Sequence, residues 1–240
     1  MLSKKAFLSL LALFTGGFVP INLIVLSFGY AQYFKGITMG PKVIKKAHEF
    51  GEPYMLFVYI PSMLILTWII FYSKKNFPDL YKRIVVGLLA GAIATIGLDW
   101  LRQMGVIASW LPGDTPEMFG KMVTGSSDFN SYYWIGQLIH FMNGASFGLI
   151  FTLVFGNFIS YNKTVLWAIG WMLIMELGMM TGPPMGPMVG LFGIKYMWPQ
   201  LFLITLAAHI VHGTILGLLV HHWLGINHTK WLIPFLKDKS

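Results

Sequence analysis

The stretch from His209 to Gly225 reads HIVHGTILGLLVHHWLG, and a second stretch from His140 to Gly156 reads HFMNGASFGLIFTLVFG. Aligned without a gap, both have a His, a His or Asn three residues later, a Gly directly after that, and a second Gly four residues further on. Both lie inside long apolar runs of the kind that cross a bilayer as helices. The repetition predicts two membrane helices that carry the same polar pattern at the same depth.

The composition of the whole chain is typical of an integral membrane protein. Of its 240 residues, 56% are hydrophobic and only 11% are charged, which is too apolar for a water-soluble domain. The net charge of +8 lies mostly between the apolar runs, where it favours anionic lipid headgroups over nucleic acid. The lack of cysteine excludes disulfides, thiolate metal sites and c-type haem attachment. We therefore expect the lipid bilayer as a partner, and no nucleic acid.

Six apolar runs predict an all-α integral membrane protein built as a six-transmembrane-helix bundle. Pro61 is expected to kink the second span, and the charged segment 32–53 is expected to be a loop. Asp114, followed three residues later by Glu117, predicts the start of a short interfacial helix over the outer mouth of the bundle. The predicted spans are 6–30, 55–72, 84–104, 132–155, 164–180 and 200–223.

An even number of spans places both termini on one side of the membrane. On this topology ten of the 17 Lys and Arg residues lie on the side of the termini. The positive-inside rule then predicts a multi-pass protein of the cell (inner) membrane with cytoplasmic N- and C-termini.

The internal repeat extends beyond the two histidine helices. Asp99 lies near the end of the third span and Glu176 near the end of the fifth, and each is followed by a segment rich in Pro, Gly and Met. Residues 84–156 therefore resemble residues 164–225 in the same orientation. This predicts that the last four helices form two parallel two-helix repeats around a pseudo-twofold axis along the membrane normal.

The repeat divides the chain into two parts. Residues 1–83 precede it and are predicted to be a two-helix N-terminal anchor with basic loops. Residues 84–240 are predicted to be a four-helix repeat domain with a short C-terminal tail.

The helical rise of about 1.5 Å per residue places several ionisable side chains in one layer, on the order of 10 Å below the outer boundary. The histidines share a helix face with glycines four residues on, so they are expected to face protein rather than lipid. Ionisable groups inside a bilayer are costly and are by default candidates for function. The layer consists of His140, Glu176, His209 and the shallower Asp99, and Asn143 and His212 lie one turn further in.

Each of these side chains also has a purely structural interpretation. A His or Asn in a membrane helix can serve as an interhelical hydrogen-bond partner. Asp99 can pair with Arg102 on the next turn. A quasi-symmetric set of histidines and carboxylates is harder to explain by packing alone, because every buried ionisable group adds to the cost.

Five motifs carry a resemblance to a known family: GLLAGAIAT at 87–95, DTPEMFG at 114–120, HFMNG at 140–144, GPPMGPMVG at 182–190 and H-x-x-H-G-x-x-x-G at 209–217. On these motifs the C-terminal two-thirds of the chain resembles small polytopic prokaryotic membrane proteins of unknown function, of the YagU type. The resemblance implies a fold without an established activity. The first two spans depart from that pattern and are expected to be an added anchor or docking element.

One function open to this sequence is a buried metal or proton-handling site. Histidine and carboxylate ligands suit transition metals such as zinc, iron or copper. Without a metal, the same groups could relay protons as His and Glu chains do in transporters. The predicted metal ligands are His140, Glu176, His209 and His212, with Asn143 and Asp99 supporting them.

Two further functions come from different classes. His140 and His209, at equal depth on equivalent helices, could be the axial ligands of a haem b in an electron-transfer protein. Alternatively, the chain could be a non-catalytic scaffold or assembly subunit of a membrane complex, or a homo-oligomer. Patterns for nucleotide binding, HExxH zinc sites and nucleophilic triads are absent from the sequence.

Overall fold

The computed structural model describes residues 3–156 and 160–225. Both ranges consist of helices with short connections and contain no strand. Six of the helices are long and apolar enough to cross a membrane, so the prediction of an all-α chain with six candidate spans is confirmed. Lys230, Lys237 and Lys239, which entered the charge count, lie outside the described residues. The helices are α1 (Lys4–Phe34), α2 (Pro41–Asn76), α3 (Pro78–Ile107), α4 (Thr115–Thr124), α5 (Phe129–Phe155), α6 (Tyr161–Thr181), α7 (Met185–Val189) and α8 (Gln200–Leu224).

The segment 32–53 was predicted as a loop, and this prediction is wrong. Helix α1 runs to Phe34 and α2 begins at Pro41, so only residues 35–40 connect them. Val43, Ala47 and Gly51 recur every four residues and are buried, while charged residues between them are solvent-facing. The segment is an amphipathic helix, whose average hydropathy hides its apolar face.

Two prolines coincide with irregular turns in the first two helices. A π-helical turn at Leu13–Phe18 precedes Pro20, and another at Met55–Tyr59 precedes Pro61. Proline lacks the N–H that would close the preceding turn, and its ring crowds the carbonyl four residues earlier. A wider turn relieves both effects, and such turns are frequent sites of helix bending.

Helices α3 and α5 cross with their backbones in contact. A Cβ atom added at Gly91 would overlap the carbonyl oxygen of Gly144, and one added at Gly148 would overlap the carbonyl oxygen of Gly87. Beyond this crossing, Thr152 Oγ1 donates to the Arg83 carbonyl at 3.0 Å. The small residues of the third span thus form a close helix contact.

Helices α6 and α8 also cross at two glycines. A Cβ at Gly213 would lie 2.6 Å from the Cα of Ile169, and one at Gly217 would lie 2.6 Å from the Cα of Val165. On another face of α8, Val211 packs against Gly97 of α3. Helix α3 therefore contacts both α5 and α8, which carry the two histidine motifs.

The short helix α4 confirms the helix predicted after Asp114, and its place at the membrane interface stays a prediction. It packs on the start of α5, where Gly120 lies against the Tyr132 carbonyl and Gly136 against the Pro116 carbonyl. Asp114 is the N-cap by position and backbone conformation, but its side chain accepts no hydrogen bond from the helix. Its carboxylate instead forms an ion pair with the guanidinium group of Arg102 on α3.

Helices α1 and α2 differ in how they meet the rest of the bundle. Gly16 of α1 lies between Leu66 of α2 and Leu149 of α5, with 2.6 Å from its added Cβ to a methyl carbon of each. Helix α2 is peripheral and exposes large apolar side chains such as Phe57 and Phe71. Such a surface is consistent with contact to lipid acyl chains.

Replacing Gly91 by alanine tests the α3–α5 crossing. The added methyl group would overlap the Gly144 carbonyl, so we expect the free energy of unfolding in detergent to fall by about 1–3 kcal/mol. Gly170→Ala is the matched control, because nothing lies within 4 Å of a Cβ at that membrane-helix position. Equal stability of the two variants would contradict the crossing.

Candidate functional site

The first histidine–carboxylate pair joins α3 to α5. His140 Nε2 lies 2.7 Å from Asp99 Oδ1, and the two side chains are 12% and 17% exposed. Asp99 Oδ1 also accepts from Arg102 Nε at 2.9 Å. Asp99 was predicted only as a supporting group or as the partner of Arg102. The structure makes it the partner of both Arg102 and His140.

The second pair joins α6 to α8. His209 Nδ1 lies 2.9 Å from Glu176 Oε2 and 2.8 Å from the Thr205 carbonyl oxygen. A carbonyl oxygen can only accept, so Nδ1 carries the proton in this arrangement. The Thr205 hydroxyl donates to Glu176 Oε1 at 2.6 Å. Glu176 is only 1% exposed, and these two contacts supply the partners that a buried carboxylate requires.

The two pairs share one plan. In each, a carboxylate on one helix meets a histidine on the helix that crosses it at two glycines. The glycines allow the backbones to approach closely, and this brings the side chains one turn away within hydrogen-bond distance. The sequence pattern correctly placed the histidines on the protein-facing side of their helices.

Arg102 belongs to the network of the first pair, although its spacing from Asp99 indicated only a local contact. Its side chain is 6% exposed and lies between the carboxylates of Asp99 and Asp114. It therefore links the first pair to the segment that begins α4. The spacing of residues 99 and 102 indicated a contact, but no local pattern could show that Asp114 would supply the second carboxylate.

A cavity of about 370 Å³ lies beside both pairs, near the connections 108–114 and 182–184. His140, Asn143, His209 and His212 all line it, and most of the remaining wall is apolar. Helix α1 contributes part of that wall, and the division into an N-terminal anchor and a repeat domain stays a prediction. The apolar lining includes Ile21, Ile24, Leu98, Phe119, Phe147, Met175 and Met179.

His212 is the most deeply buried polar residue of this layer. It is 0% exposed, and neither of its ring nitrogens has a hydrogen-bond partner among residues 3–156 and 160–225. Its ring packs edge-on against Phe147, with 6.2 Å between the ring centroids. Asn143 Oδ1 is buried and equally without a partner in the described part of the chain.

The predicted metal ligands do not form one ligand group. His140 and His209 each form an ion pair with a carboxylate. His212 forms no hydrogen bond with either carboxylate. Within the described ranges, no set of three or more His, Asp or Glu side chains is arranged to hold a metal ion. The haem prediction, with His140 and His209 as axial ligands, is untested by these contacts and stays a prediction.

No family model, curated protein or solved structure matches this chain. The resemblance of spans three to six to YagU-type membrane proteins therefore stays a prediction.

Replacing Arg102 by methionine tests its place in the network. Asp99 and Asp114 would lose a buried cation, and removing one partner of a buried ion pair typically costs about 3–5 kcal/mol of unfolding free energy. Lys46→Met is the control, because Lys46 pairs with Glu49 at 2.6 Å on the surface, where both side chains are more than a third exposed and an ion pair contributes little to stability. Similar losses in both variants, measured by unfolding in detergent, would show that the Arg102 network contributes no more than a surface pair.

Proposed function

We propose that this chain is a multi-pass membrane protein that takes up and releases protons at two histidine–carboxylate pairs beside one cavity. The observation that carries the proposal is the shared plan of Asp99–His140 and Glu176–His209. A single buried pair is readily explained as helix packing. Two equivalent pairs whose histidines line the same cavity are costly to maintain for packing alone.

The chemistry of each pair suits proton exchange. A carboxylate and an imidazole that share one acidic proton are neutral overall, whether the proton lies on the carboxylate or the charges are separated. Adding or removing a proton leaves a net charge in a low-dielectric environment, which is unfavourable unless it is balanced. A proton gained at one pair is therefore readily passed on, either to the other pair or to a molecule in the cavity.

The repeat supports this interpretation. We propose that α3 with α5 and α6 with α8 are parallel repeats around an axis along the membrane normal. Each half contributes one carboxylate, one histidine and one crossing at two glycines. In such an arrangement the two pairs face each other across the axis.

Metal binding is the second candidate, and one observation favours it. His209 donates Nδ1–H to the Thr205 carbonyl oxygen beside the Glu176 carboxylate, and such a bond orients many metal-ligating histidines and leaves Nε2 as the ligand. Metal analysis of protein purified without chelator tests this candidate. Stoichiometric metal that is lost in His209→Ala would support it, and a Soret band in the absorption spectrum would identify haem instead.

The variants Glu176→Gln and Asp99→Asn test proton handling. An amide keeps the volume and hydrogen-bonding capacity of the carboxylic acid, but it does not take up or release a proton near neutral pH. We expect each variant to reduce proton flux into proteoliposomes, followed with an enclosed pH dye under an imposed membrane potential, to that of protein-free vesicles.

Glu117→Gln is the matched control for these variants. Glu117 lies on α4 beside Lys121, with 3.1 Å between their charged atoms and both side chains a third exposed. Partial burial alone would lower the pKa of Lys121, but its hydrogen bond to Glu117 and its contact with Tyr132 raise that pKa. Wild-type flux in correctly folded Glu176→Gln and Asp99→Asn would rule out the proton function and favour the scaffold.

We also propose that the termini are cytoplasmic and that the cavity lies toward the outer side. The chain has no cysteine, so single introduced cysteines report topology without background. Ser127, before α5, and Asn76, the last residue of α2, are both exposed and lie at opposite ends of the bundle. In intact cells a membrane-impermeant maleimide should label Ser127→Cys but not Asn76→Cys. Labelling of Asn76→Cys but not of Ser127→Cys would show the opposite orientation.

A further inference from the structure

His212 is a buried polar side chain that neither pair uses. A neutral imidazole has one N–H donor and one nitrogen acceptor, and leaving them unpaired in the protein interior costs free energy. Both ring nitrogens lack a partner among the described residues, and the residue lines the cavity. The cavity is the space beside His212 from which such a polar partner could come.

Asn143 supplies a second unpartnered group from another helix. It lies on α5 at the position that His212 holds in the matching stretch of α8. Asn143 is 8% exposed, its Oδ1 atom has no partner in the described part of the chain, and it lines the same cavity. The cavity thus presents two unsatisfied polar side chains within a mostly apolar wall.

We propose that this cavity binds a small apolar molecule that carries a hydroxyl group, and that the hydroxyl hydrogen-bonds to His212 and Asn143. A hydroxyl group can donate and accept, which suits an imidazole and an amide. The wall around the two residues, including Phe119, Met175 and Met179, is complementary to a hydrocarbon or aromatic body. A cavity of about 370 Å³ is within the usual size of small-molecule sites.

The chemistry of the surroundings selects this class of ligand over others. Among the described residues, the cation that lines the cavity is Arg102, which already pairs with Asp99 and Asp114, so an anionic ligand would lie unbalanced in this low-dielectric site. A pure hydrocarbon would leave His212 and Asn143 unpaired. The proposal concerns binding alone and does not depend on whether the pairs exchange protons.

Naphthol and naphthalene are the probes for this proposal, because they differ only by the hydroxyl group. Binding is measured by equilibrium dialysis against protein in lipid nanodiscs, with empty nanodiscs subtracted to remove partition into lipid. We expect the wild-type protein to bind naphthol about tenfold more tightly than naphthalene, the ratio that corresponds to one good hydrogen bond.

His212→Phe keeps an aromatic ring of similar shape and removes both nitrogens. It should abolish the preference for naphthol and leave naphthalene binding unchanged, and naphthalene binding also reports that the cavity is intact. His222→Phe is the matched control, since His222 lies on the same helix and is exposed, and it should retain the wild-type preference. Equal binding of the two probes by the wild-type protein, or an unchanged preference in His212→Phe, would overturn the proposal.

Two more variants keep the proposal testable if His212→Phe is not recovered in folded form. Asn143→Leu should lower the naphthol preference and leave naphthalene binding unchanged. Ala208→Phe places a large ring in the cavity wall and should weaken both probes together. Undiminished binding of both probes to Ala208→Phe would place them outside this cavity and contradict the assignment.

Discussion

A carboxylate inside a hydrocarbon-facing bundle must have a partner, and the rest of this structure depends on that constraint. Glu176 meets it with His209 and Thr205, and Asp99 meets it with His140 and Arg102. Each histidine reaches its carboxylate from a neighbouring helix only because glycines let the two backbones touch. The ion pairs therefore depend on the glycine crossings. Larger residues at the crossings would separate the charged groups and leave them unpaired.

The same crossings explain how a packed bundle contains a cavity. Helices α3 and α5 are in backbone contact at Gly91 and Gly144, and α6 and α8 are in contact at Gly213. Tight contact within each pair leaves α5 and α8 apart near the connections 182–184, where α1 and the segment before α4 complete the wall. Polar groups on the inner faces of α5 and α8 then line a space that no apolar side chain fills.

Much of this arrangement follows from sequence because periodic patterns report which helix face is buried. The six spans, the glycine contacts and the inward histidines were all predicted from spacing. The partner of each histidine was not, because pairing across helices depends on rotation and depth, which spacing within one helix does not contain. Arg102 is the clearest case: its second carboxylate, Asp114, follows the helix end and could equally have capped α4. The loop prediction for segment 32–53 was wrong for another reason. Its charged residues lie on one face of an amphipathic helix, and the average hydropathy of such a helix resembles that of a loop.

The two pairs share a plan but differ in their surroundings, and this difference orders them under the proposed function. Asp99 is 17% exposed and is linked through Arg102 to Asp114, where α4 begins. Glu176 is 1% exposed, and its described contacts are to Thr205 and His209 within the bundle. Water reaches a partly exposed pair more readily than a buried one. Protons from water near the connecting segments would therefore enter at Asp99–His140 first. Glu176–His209 would then exchange protons through the cavity, and a molecule bound between the two pairs would control that exchange.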